Sequence, residues 1–388
     1  MKPTGKSIKK FAGKKSGASK PRVVQKRKTK GRARLRPQET KTVSGQPYLK
    51  KTEHNPILKP DESHPWESYQ TFNPAALYAG DKIHLLYRAL GADGISRLGY
   101  AASNDGLTII ERSAQPIYTA PKPDDSEAVD EYAYPIIYES GGGCGGCEDP
   151  RMVRIDDRVF ITFVAFDGWG SVQIALTSLD LNDFLAQKWK WKKPILISPP
   201  GEVHKNWVLF PEKIKGKYAI LHSIAPKVLV EYVDNLESLD GNTHITSIPG
   251  NRVAPKGRAG MWLRGSGPPP IKTTYGWLLL CHAMDTRDPN RYKLGAMILD
   301  MEDPTKILYQ STEPILEPDE VYENQGHKAG VIYSCGAVVV DGRLFVYYGG
   351  ADTVVCVATA DLEQFLQVLI HQKKPKLKAV HMRKQRLS

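Results

Sequence analysis

Five stretches of this chain share one form: a short strand, a tight turn at an aspartate or a glycine, and a second strand of mostly apolar residues. The turns fall at Asp81, Asp157, Gly216, Gly276 and Gly342, which are 76, 59, 60 and 66 positions apart. Antiparallel strand pairs that recur at such a period are typical of a β-propeller, in which each repeat forms one blade. Five repeats predict five blades. A β-sandwich with coincidental spacing is the alternative.

The remaining pattern favours an all-β fold. Four repeats continue into a third run of small and β-branched residues, at 98–102, 172–176, 294–298 and 354–358. Short runs of this kind, broken by Gly, Asp and Asn, are typical of strands. Helical periodicity is clear only at 361–369, so we expect one short helix near the end of the chain.

The charge is concentrated at the two ends of the chain. Residues 1–45 hold 16 Lys and Arg and one acid, and residues 371–388 hold seven Lys and Arg and no acid. With a total of +12, the part between them carries +12 − 15 − 7 = −10. We therefore predict a disordered basic tail over 1–45, a catalytic propeller domain over 46–370 and a basic C-terminal tail over 371–388. The N-terminal tail is either a solvated, non-specific arm or a contact for RNA, DNA or another anionic surface.

Localisation follows from the same residues. The N-terminal tail has no apolar segment of a secretory signal, and no run approaches the roughly 20 apolar residues of a membrane span. Five cysteines, an odd number, favour reduced thiols in a cytoplasmic protein. The sequence is compatible with an oligomer as well as with a monomer. Cys144 and Cys147 form a C-x-x-C without a second pair, so we expect a loop rather than a metal site.

A propeller brings together residues that are far apart in sequence. The innermost strand of each blade lines a central channel, so the residues that open the five repeats lie at one mouth. These residues are Asn73, Asp149, Lys205, Asn206 and the glycine-rich stretch 265–267. Three more residues end the second strands or lie in the turns just after them, and they can reach the same rim: Arg88, His282 and Asp352.

The stretch Glu148-Asp149-Pro150-Arg151 carries the acidic candidates at this mouth. A carboxylate held there can serve as a general acid, although a surface Asp–Arg pair is the simpler interpretation. Glu148 is a rival to Asp149, because successive strand residues point to opposite faces and only one of the two faces the channel.

The sequence resembles glycoside hydrolase family 130, the β-mannoside phosphorylases and related hydrolases. The matching pieces follow one another in order and cover roughly 55–370: residues 72–75 (FNPA), 86–89 (LYRA), 96–101 (SRLGYA), 148–151 (EDPR), 209–213 (LFPEK), 267–271 (GPPPI), 276–279 (GWLL) and 347–352 (YYGGAD). The resemblance implies a five-bladed propeller, in agreement with the repeat count.

The resemblance also implies roles for individual residues. Asp149 stands where the family has its general acid, and Asn73, Arg88, Arg97 and Asp352 stand in the pieces that bind the mannoside. The implied phosphate ligands are Lys205, Asn206, Arg264 and His282. Lys205 replaces the arginine of many phosphorylases, which keeps the charge but loses bidentate geometry.

An inverting glycosidase needs an acid for the leaving oxygen and a base for water. A phosphorylase needs only the acid, because phosphate is already an anionic nucleophile that cations can orient. We therefore predict inverting phosphorolysis of β-mannosides to α-mannose 1-phosphate, with no cofactor and with inorganic phosphate as co-substrate. The alternatives are a hydrolase or mannosyltransferase, with Glu212 or Glu323 as base in a hydrolase, and a non-catalytic sugar- or nucleic-acid-binding propeller.

Overall fold

The computed structural model describes residues 49–119, 145–166, 172–248, 261–285 and 288–371. The predicted N-terminal tail, Cys144 and nearly all of the C-terminal tail lie outside this part of the chain. Within it the fold is all-β, as predicted, with three short α-helices: α1 (Leu181–Leu185), α2 (Val321–Asn324) and α3 (Leu362–His371). Two 3-10 helices cover Pro65–Glu67 and Leu236–Ser238.

The described strands form four sheets, which we divide into units numbered 1 to 5. Units 1 and 2 are the two antiparallel parts of one eight-stranded sheet, joined by a short parallel pairing of Ile95 with Gly145 and of Ser96 with Gly146. A first strand, β1 (Lys50–Lys51), precedes them. Unit 1 holds β2 (Gln70–Ala79), β3 (Lys82–Leu90), β4 (Ile95–Ser103) and β5 (Glu111–Arg112). Unit 2 holds β6 (Gly145–Ile155), β7 (Arg158–Phe166), β8 (Val172–Asp180) and β9 (Ile195–Leu196), and unit 3 holds β10 (Val208–Leu209), β11 (Tyr218–Ser223) and β12 (Leu229–Val233). Unit 4 holds β13 (Met261–Ser266), β14 (Ile271–Thr273), β15 (Gly276–Asp285), β16 (Asp288–Leu299) and β17 (Ile307–Gln310), and unit 5 holds β18 (Ile332–Val340), β19 (Arg343–Gly350) and β20 (Val354–Asp361).

The strands are apolar on both faces because each unit is packed between two others. Along β15, Leu278 and Leu280 belong to the hydrophobic cluster shared with unit 5, whereas Trp277 and Leu279 belong to the cluster shared with unit 3. This split follows from the two-residue period of a strand. Further clusters join unit 1 to unit 2, unit 2 to unit 3, and unit 5 to unit 1, so the described units form a closed ring.

The N-terminal end of the described chain completes unit 5. Strand β1 pairs antiparallel with β20, with Lys50 opposite Thr359. Lys51 reaches the buried carboxylate of Glu323 (2.6 Å), which also accepts a hydrogen bond from the Tyr348 hydroxyl (2.8 Å). The first strand therefore completes the sheet of the last unit and closes the ring of units. The inner strands meet at the centre of this ring.

Candidate active site

Three inner segments present an Asn or Asp to the centre in the same left-handed backbone conformation. The pairing of β2 with β3 is interrupted at Asn73-Pro74, and that of β6 with β7 at Asp149-Pro150. Asn73, Asp149 and Asn206, just before β10, have φ angles of 48°, 51° and 68°. Asn and Asp tolerate this left-handed conformation better than other non-glycine residues. The bulges at Asn73 and Asp149 redirect these two side chains, whereas Asn206 shares only the left-handed conformation.

The same kind of register shift occurs in the other two units. The ladder of β13 and β15 shifts at Arg264, and that of β18 and β19 shifts at Cys335. Arg264 is half-buried and Cys335 is fully buried. Cys335 interacts electrostatically with Arg88, Asp149 and Arg151, and burial raises the pKa of its thiol, so it stays protonated. The sequence gives no signal for Cys335, because an isolated cysteine matches no motif.

Asp149 lies at the centre of the site and is 4% exposed. Its Oδ1 accepts a hydrogen bond from Asn73 Nδ2 (2.8 Å) and lies 3.4 Å from Arg88 Nη1. Burial alone raises the pKa of Asp149, but the charges of Arg88, Lys205 and Arg151 and the hydrogen bond from Asn73 together lower it below its ordinary value. Asp149 is therefore ionised at neutral pH.

The bulge brings Glu148 and Asp149 to the same cation. Arg88 Nη2 lies 3.0 Å from Glu148 Oε1, while Arg88 Nη1 contacts Asp149. Glu148 is fully buried, and its Oε2 lies 3.2 Å from Lys205 Nζ. Strand alternation predicts opposite faces for these carboxylates, but the interruption at Asp149-Pro150 breaks that alternation. Glu148 is thus held between two cations, and Asp149 has fewer ion-pair partners.

Arg88 and Asp352 complete this side of the site. Arg88 Nε donates to Ser96 Oγ (2.9 Å), and its guanidinium lies 4.7 Å from the centre of the Phe72 ring. Asp352 is 5% exposed in the turn after β19, and Gln70 donates to its backbone oxygen (2.6 Å). Burial raises the pKa of Asp352, as does the nearby charge of Asp149, whereas Lys328 and Arg88 act to lower it.

Arg151 connects three units from the opposite side. Its Nη1 donates to the backbone oxygen of Asp149 (2.8 Å), its Nε to that of Gly267 (2.9 Å) and its Nη2 to Asn206 Oδ1 (2.8 Å). The Tyr333 hydroxyl donates to the same Asn206 oxygen. Arg151 therefore orients its neighbours through buried contacts and is not part of a surface Asp–Arg pair. Tyr333 has no sequence signal of its own.

His282 is a neutral member of the site. Burial, with the nearby Arg151 charge, lowers the pKa of His282 to about 3. The ring stacks on Tyr333 with centroids 3.8 Å apart, and the Ser334 N–H donates to His282 Nε2 (3.1 Å). Nε2 also lies 3.0 Å from the Ser334 backbone oxygen, so these contacts suit either tautomer, and Nδ1 has no hydrogen-bond partner among the described residues. His282 is thus a candidate neutral donor rather than a cation.

The remaining candidates lie elsewhere. Arg97 pairs with the half-exposed Asp93 at the start of β4 (2.6 Å). Glu212 pairs with Lys272, and both side chains are about half-exposed, while Glu323 is fixed at the ring closure. The structure therefore brings together seven of the nine predicted site residues, places Arg97 in a separate ion pair, and leaves Arg264 at the shift in unit 4.

One cluster outside the site has the residue types of a metal site. Ligand atoms of Asp61, His64 and Glu67 lie within 4.8 Å of one another. Glu67 is fully buried, accepts from the Tyr87 hydroxyl (2.7 Å) and pairs with Arg112 (2.8 Å). A cation there would compete with Arg112, so the cluster is best described as part of the packing before β2.

Comparisons with known proteins decide the family. The model of glycoside hydrolase family 130, described as beta-1,4-mannooligosaccharide phosphorylase, matches residues 48–371. The chain belongs to this family. A 1,2-beta-oligomannan phosphorylase of Thermoanaerobacter sp. (strain X514) is 37% identical over 326 residues, covering 81% of this chain and 98% of the relative. A beta-1,2-mannobiose phosphorylase of the same organism is 33% identical over 332 residues, with the same coverage.

Solved structures of similar proteins agree with this membership. A putative glycoside hydrolase from Parabacteroides distasonis ATCC 8503 superposes with a TM-score of 0.63 at 26% identity, covering 81% of this chain and 97% of that one. Beta-1,2-mannobiose phosphorylase from Listeria innocua, solved with beta-1,2-mannobiose, gives 0.60 at 24% identity and covers 83% and 99%. The predicted resemblance is confirmed, and the chain is an enzyme of the glycosidase and glycosyltransferase kind. No described helix combines the length and apolar character needed to cross a membrane.

Proposed function

We propose that this enzyme cleaves β-mannosides with inorganic phosphate, with inversion, to give α-mannose 1-phosphate. The observation that carries the proposal is the buried Asp149 carboxylate, which lies 3.4 Å from Arg88 and within the electrostatic influence of Lys205 and Arg151. Such a site offers a proton donor and an anion-binding group without needing a base for water. The names of the similar relatives support phosphorolysis.

The side of the site formed by unit 1 and the end of β19 is the proposed mannose subsite. Asn73, Arg88 and Asp352 are buried there beside Asp149, with amide, guanidinium and carboxylate groups that suit sugar hydroxyls. Asp149 delivers a proton to the glycosidic oxygen, directly or through a sugar hydroxyl. Arg97 remains a proposed substrate contact through its place in the family piece 96–101.

The opposite side is the proposed phosphate subsite. Lys205 and Arg151 supply charge, Asn206 and the neutral His282 supply uncharged donors, and Arg264 remains a proposed ligand at the edge. A phosphate oxygen forms a bond to C1 of mannose while the bond from C1 to the glycosidic oxygen breaks. That oxygen takes the proton from Asp149, and the products are α-mannose 1-phosphate and the shortened saccharide.

Hydrolysis on the same scaffold needs a base opposite Asp149. The two acids considered for that role, Glu212 and Glu323, form ion pairs away from the Asp149 network. Glu148 is close, but its Oε1 pairs with Arg88 (3.0 Å) and its Oε2 with Lys205 (3.2 Å), so a water would have to compete with two cations for this carboxylate. The contacts of the described carboxylates therefore favour phosphorolysis.

The proposal extends to substrate linkage and co-substrate. The two full-length relatives reported above act, by name, on 1,2-linked mannan or mannobiose, so we propose β-1,2-mannooligosaccharides as the first choice over β-1,4. No cofactor is needed, since inorganic phosphate supplies the nucleophile. We assign residues 1–45 no catalytic role, and any contact they make with anionic polymers would be non-specific and weakened by salt.

The deciding experiment incubates the purified chain with β-1,2- and β-1,4-mannobiose, with and without phosphate. We expect α-mannose 1-phosphate, identified by phosphorus and proton NMR, only when phosphate is present. Lys205→Gln should raise the KM for phosphate about tenfold or more, because it removes a charge-assisted contact, whereas Lys272→Gln, a surface ion-pair control, should not. Release of free mannose at the same rate without phosphate would establish a hydrolase instead.

A further inference from the structure

At two glycines in the site, any larger residue would clash with an asparagine of the site. Gly265 in β13 lies opposite His282 in the ladder. A Cβ added at Gly265 would lie closer than 3.0 Å to three atoms, all of them in the Asn206 side chain: Nδ2, Cβ (2.8 Å) and Cγ (2.9 Å). Since real Cβ contacts are essentially never this short, any side chain at 265 must displace the Asn206 amide.

Gly349 in β19 has the equivalent relation to the other asparagine. It lies opposite Tyr333 in the ladder, and an added Cβ would lie closer than 3.0 Å to Asn73 Oδ1 and 2.9 Å from the Asn73 backbone nitrogen. Neither Gly349 nor Gly265 has a φ angle in the left-handed region. The backbone at these positions is therefore open to any residue, and the need for glycine comes from the space that the asparagine occupies.

The two asparagines form hydrogen bonds with groups that have different roles in the proposed function. Asn73 Nδ2 donates to Asp149 Oδ1 (2.8 Å). Asn206 Oδ1 accepts from Arg151 Nη2 (2.8 Å) and from the Tyr333 hydroxyl. A displaced Asn73 amide would release the acid, whereas a displaced Asn206 amide would release Arg151 and Tyr333.

We propose that Gly349 and Gly265 are positioning residues, which set the orientation of Asn73 beside the acid and of Asn206 beside the phosphate-binding groups. The assignment rests on the proposed function, because that function identifies one side of the site as the mannose subsite and the other as the phosphate subsite. It predicts that two substitutions of the same chemistry, glycine to alanine, have different kinetic effects. Gly349→Ala acts on the acid and the mannose, and Gly265→Ala acts on phosphate.

The experiment is a pair of double-mutant cycles. Gly265→Ala should raise the KM for phosphate by about tenfold to a hundredfold with a small change in the KM for mannoside, and Gly349→Ala should lower kcat by a similar factor, as expected for misplacement of site groups by about 1 Å. Gly350→Ala, the next residue of the same strand, is the control, because the three atoms nearest to its added Cβ belong to Tyr322, Cys356 and Val354, at 3.1–3.4 Å, and to neither asparagine.

The second arm removes the asparagine. Asn206→Gly deletes all three atoms that the new Cβ would strike and suits the φ angle of 68°. In that background Gly265→Ala should change the KM for phosphate by less than about twofold, since coupled residues are not additive. An equal factor in both backgrounds overturns the proposal for Gly265. In the second cycle, Asn73→Gly removes the contact with Oδ1 but leaves the contact with the backbone nitrogen of residue 73, so Gly349→Ala should lower kcat by a smaller factor there than in the wild type, and an equal factor overturns the proposal for Gly349.

Folding is followed in each variant by thermal unfolding. If Gly265→Ala alone does not fold, recovery of folding in the double variant supports the steric coupling, and failure of both overturns it. If the wild-type enzyme turns over mannoside without phosphate, the phosphorylase function fails. The cycles on mannoside turnover then still test whether the glycines act through the asparagines.

Discussion

Asp149→Asn tests the chemistry most directly, because the structure predicts that it removes the proton donor and little else. An asparagine at 149 has the same shape, and its amide oxygen can still accept from Asn73 Nδ2, now 2.8 Å from Oδ1. Arg88 keeps its contact with Glu148 at 3.0 Å and so is not left as an unpaired buried cation. We therefore expect a folded enzyme with an intact site and no acid.

The magnitude follows from the role. A positioned general acid contributes about 10²–10⁴ in rate, which corresponds to about 3–5 kcal/mol of transition-state stabilisation at about 1.36 kcal/mol per factor of ten. The loss should depend on the leaving group. An aryl β-mannoside that releases a dinitrophenolate needs no proton, so its phosphorolysis should fall by less than about tenfold under the same Brønsted reasoning.

The assay measures initial rates of mannose 1-phosphate formation from β-1,2-mannobiose and from the aryl mannoside at saturating phosphate. Asp157→Asn, in the exposed turn that follows β6, is the matched control and should equal the wild type. Retention of more than a tenth of the activity on mannobiose would remove Asp149 as the acid. Equal losses on both substrates would assign it a binding role instead.

Three further predictions follow from other parts of the structure. In calorimetry at pH 7 in buffers of different ionisation enthalpy, phosphate binding should take up a proton in the wild type but not in Asp149→Asn, because an anion near Lys205 offsets the charges that lower the pKa of Asp149. Lys51→Met should cost about 3 kcal/mol in chemical denaturation, since it leaves the Glu323 carboxylate buried without its cation; Lys82→Met, at a more exposed pair, should cost less than about 1 kcal/mol. Deletion of residues 1–45 should leave kcat and both KM values unchanged, and a large loss would show a catalytic role for the tail.

The sequence predicts the frame of this fold well because strands and turns are local features. The tight turns at Asp81, Asp157 and Gly342 separate strands as expected, and the helix predicted at 361–369 is α3. It does not reveal α1, which is only five residues long and begins after the cap residue Asp180. Nor does it reveal that β1 pairs with β20, because two lysines carry no strand pattern.

The site is less predictable because it depends on departures from regular pairing. Strand alternation separates Glu148 from Asp149, yet the bulge brings both to Arg88. Tyr333 and Cys335 enter the site through the shift in β18, and a single tyrosine or cysteine carries no motif. The repeat shows which strand ends meet, and the bulges decide which side chains face one another.

The charges of the site suggest how an ionised Asp149 can serve as an acid. Among the described residues, Arg88, Arg151 and Lys205 lie with the carboxyl groups of Glu148, Asp149 and Asp352, and Lys328 adds its charge beside Asp352. A phosphate dianion entering this buried group adds negative charge where the effective dielectric constant is low, and the excess raises the pKa of the nearest carboxylates. In the proposed mechanism, Asp149 then takes up the proton that it later gives to the glycosidic oxygen. Because the nucleophile itself would drive that protonation, the mechanism makes the acid competent only when phosphate is in place, which disfavours reaction with water in its absence.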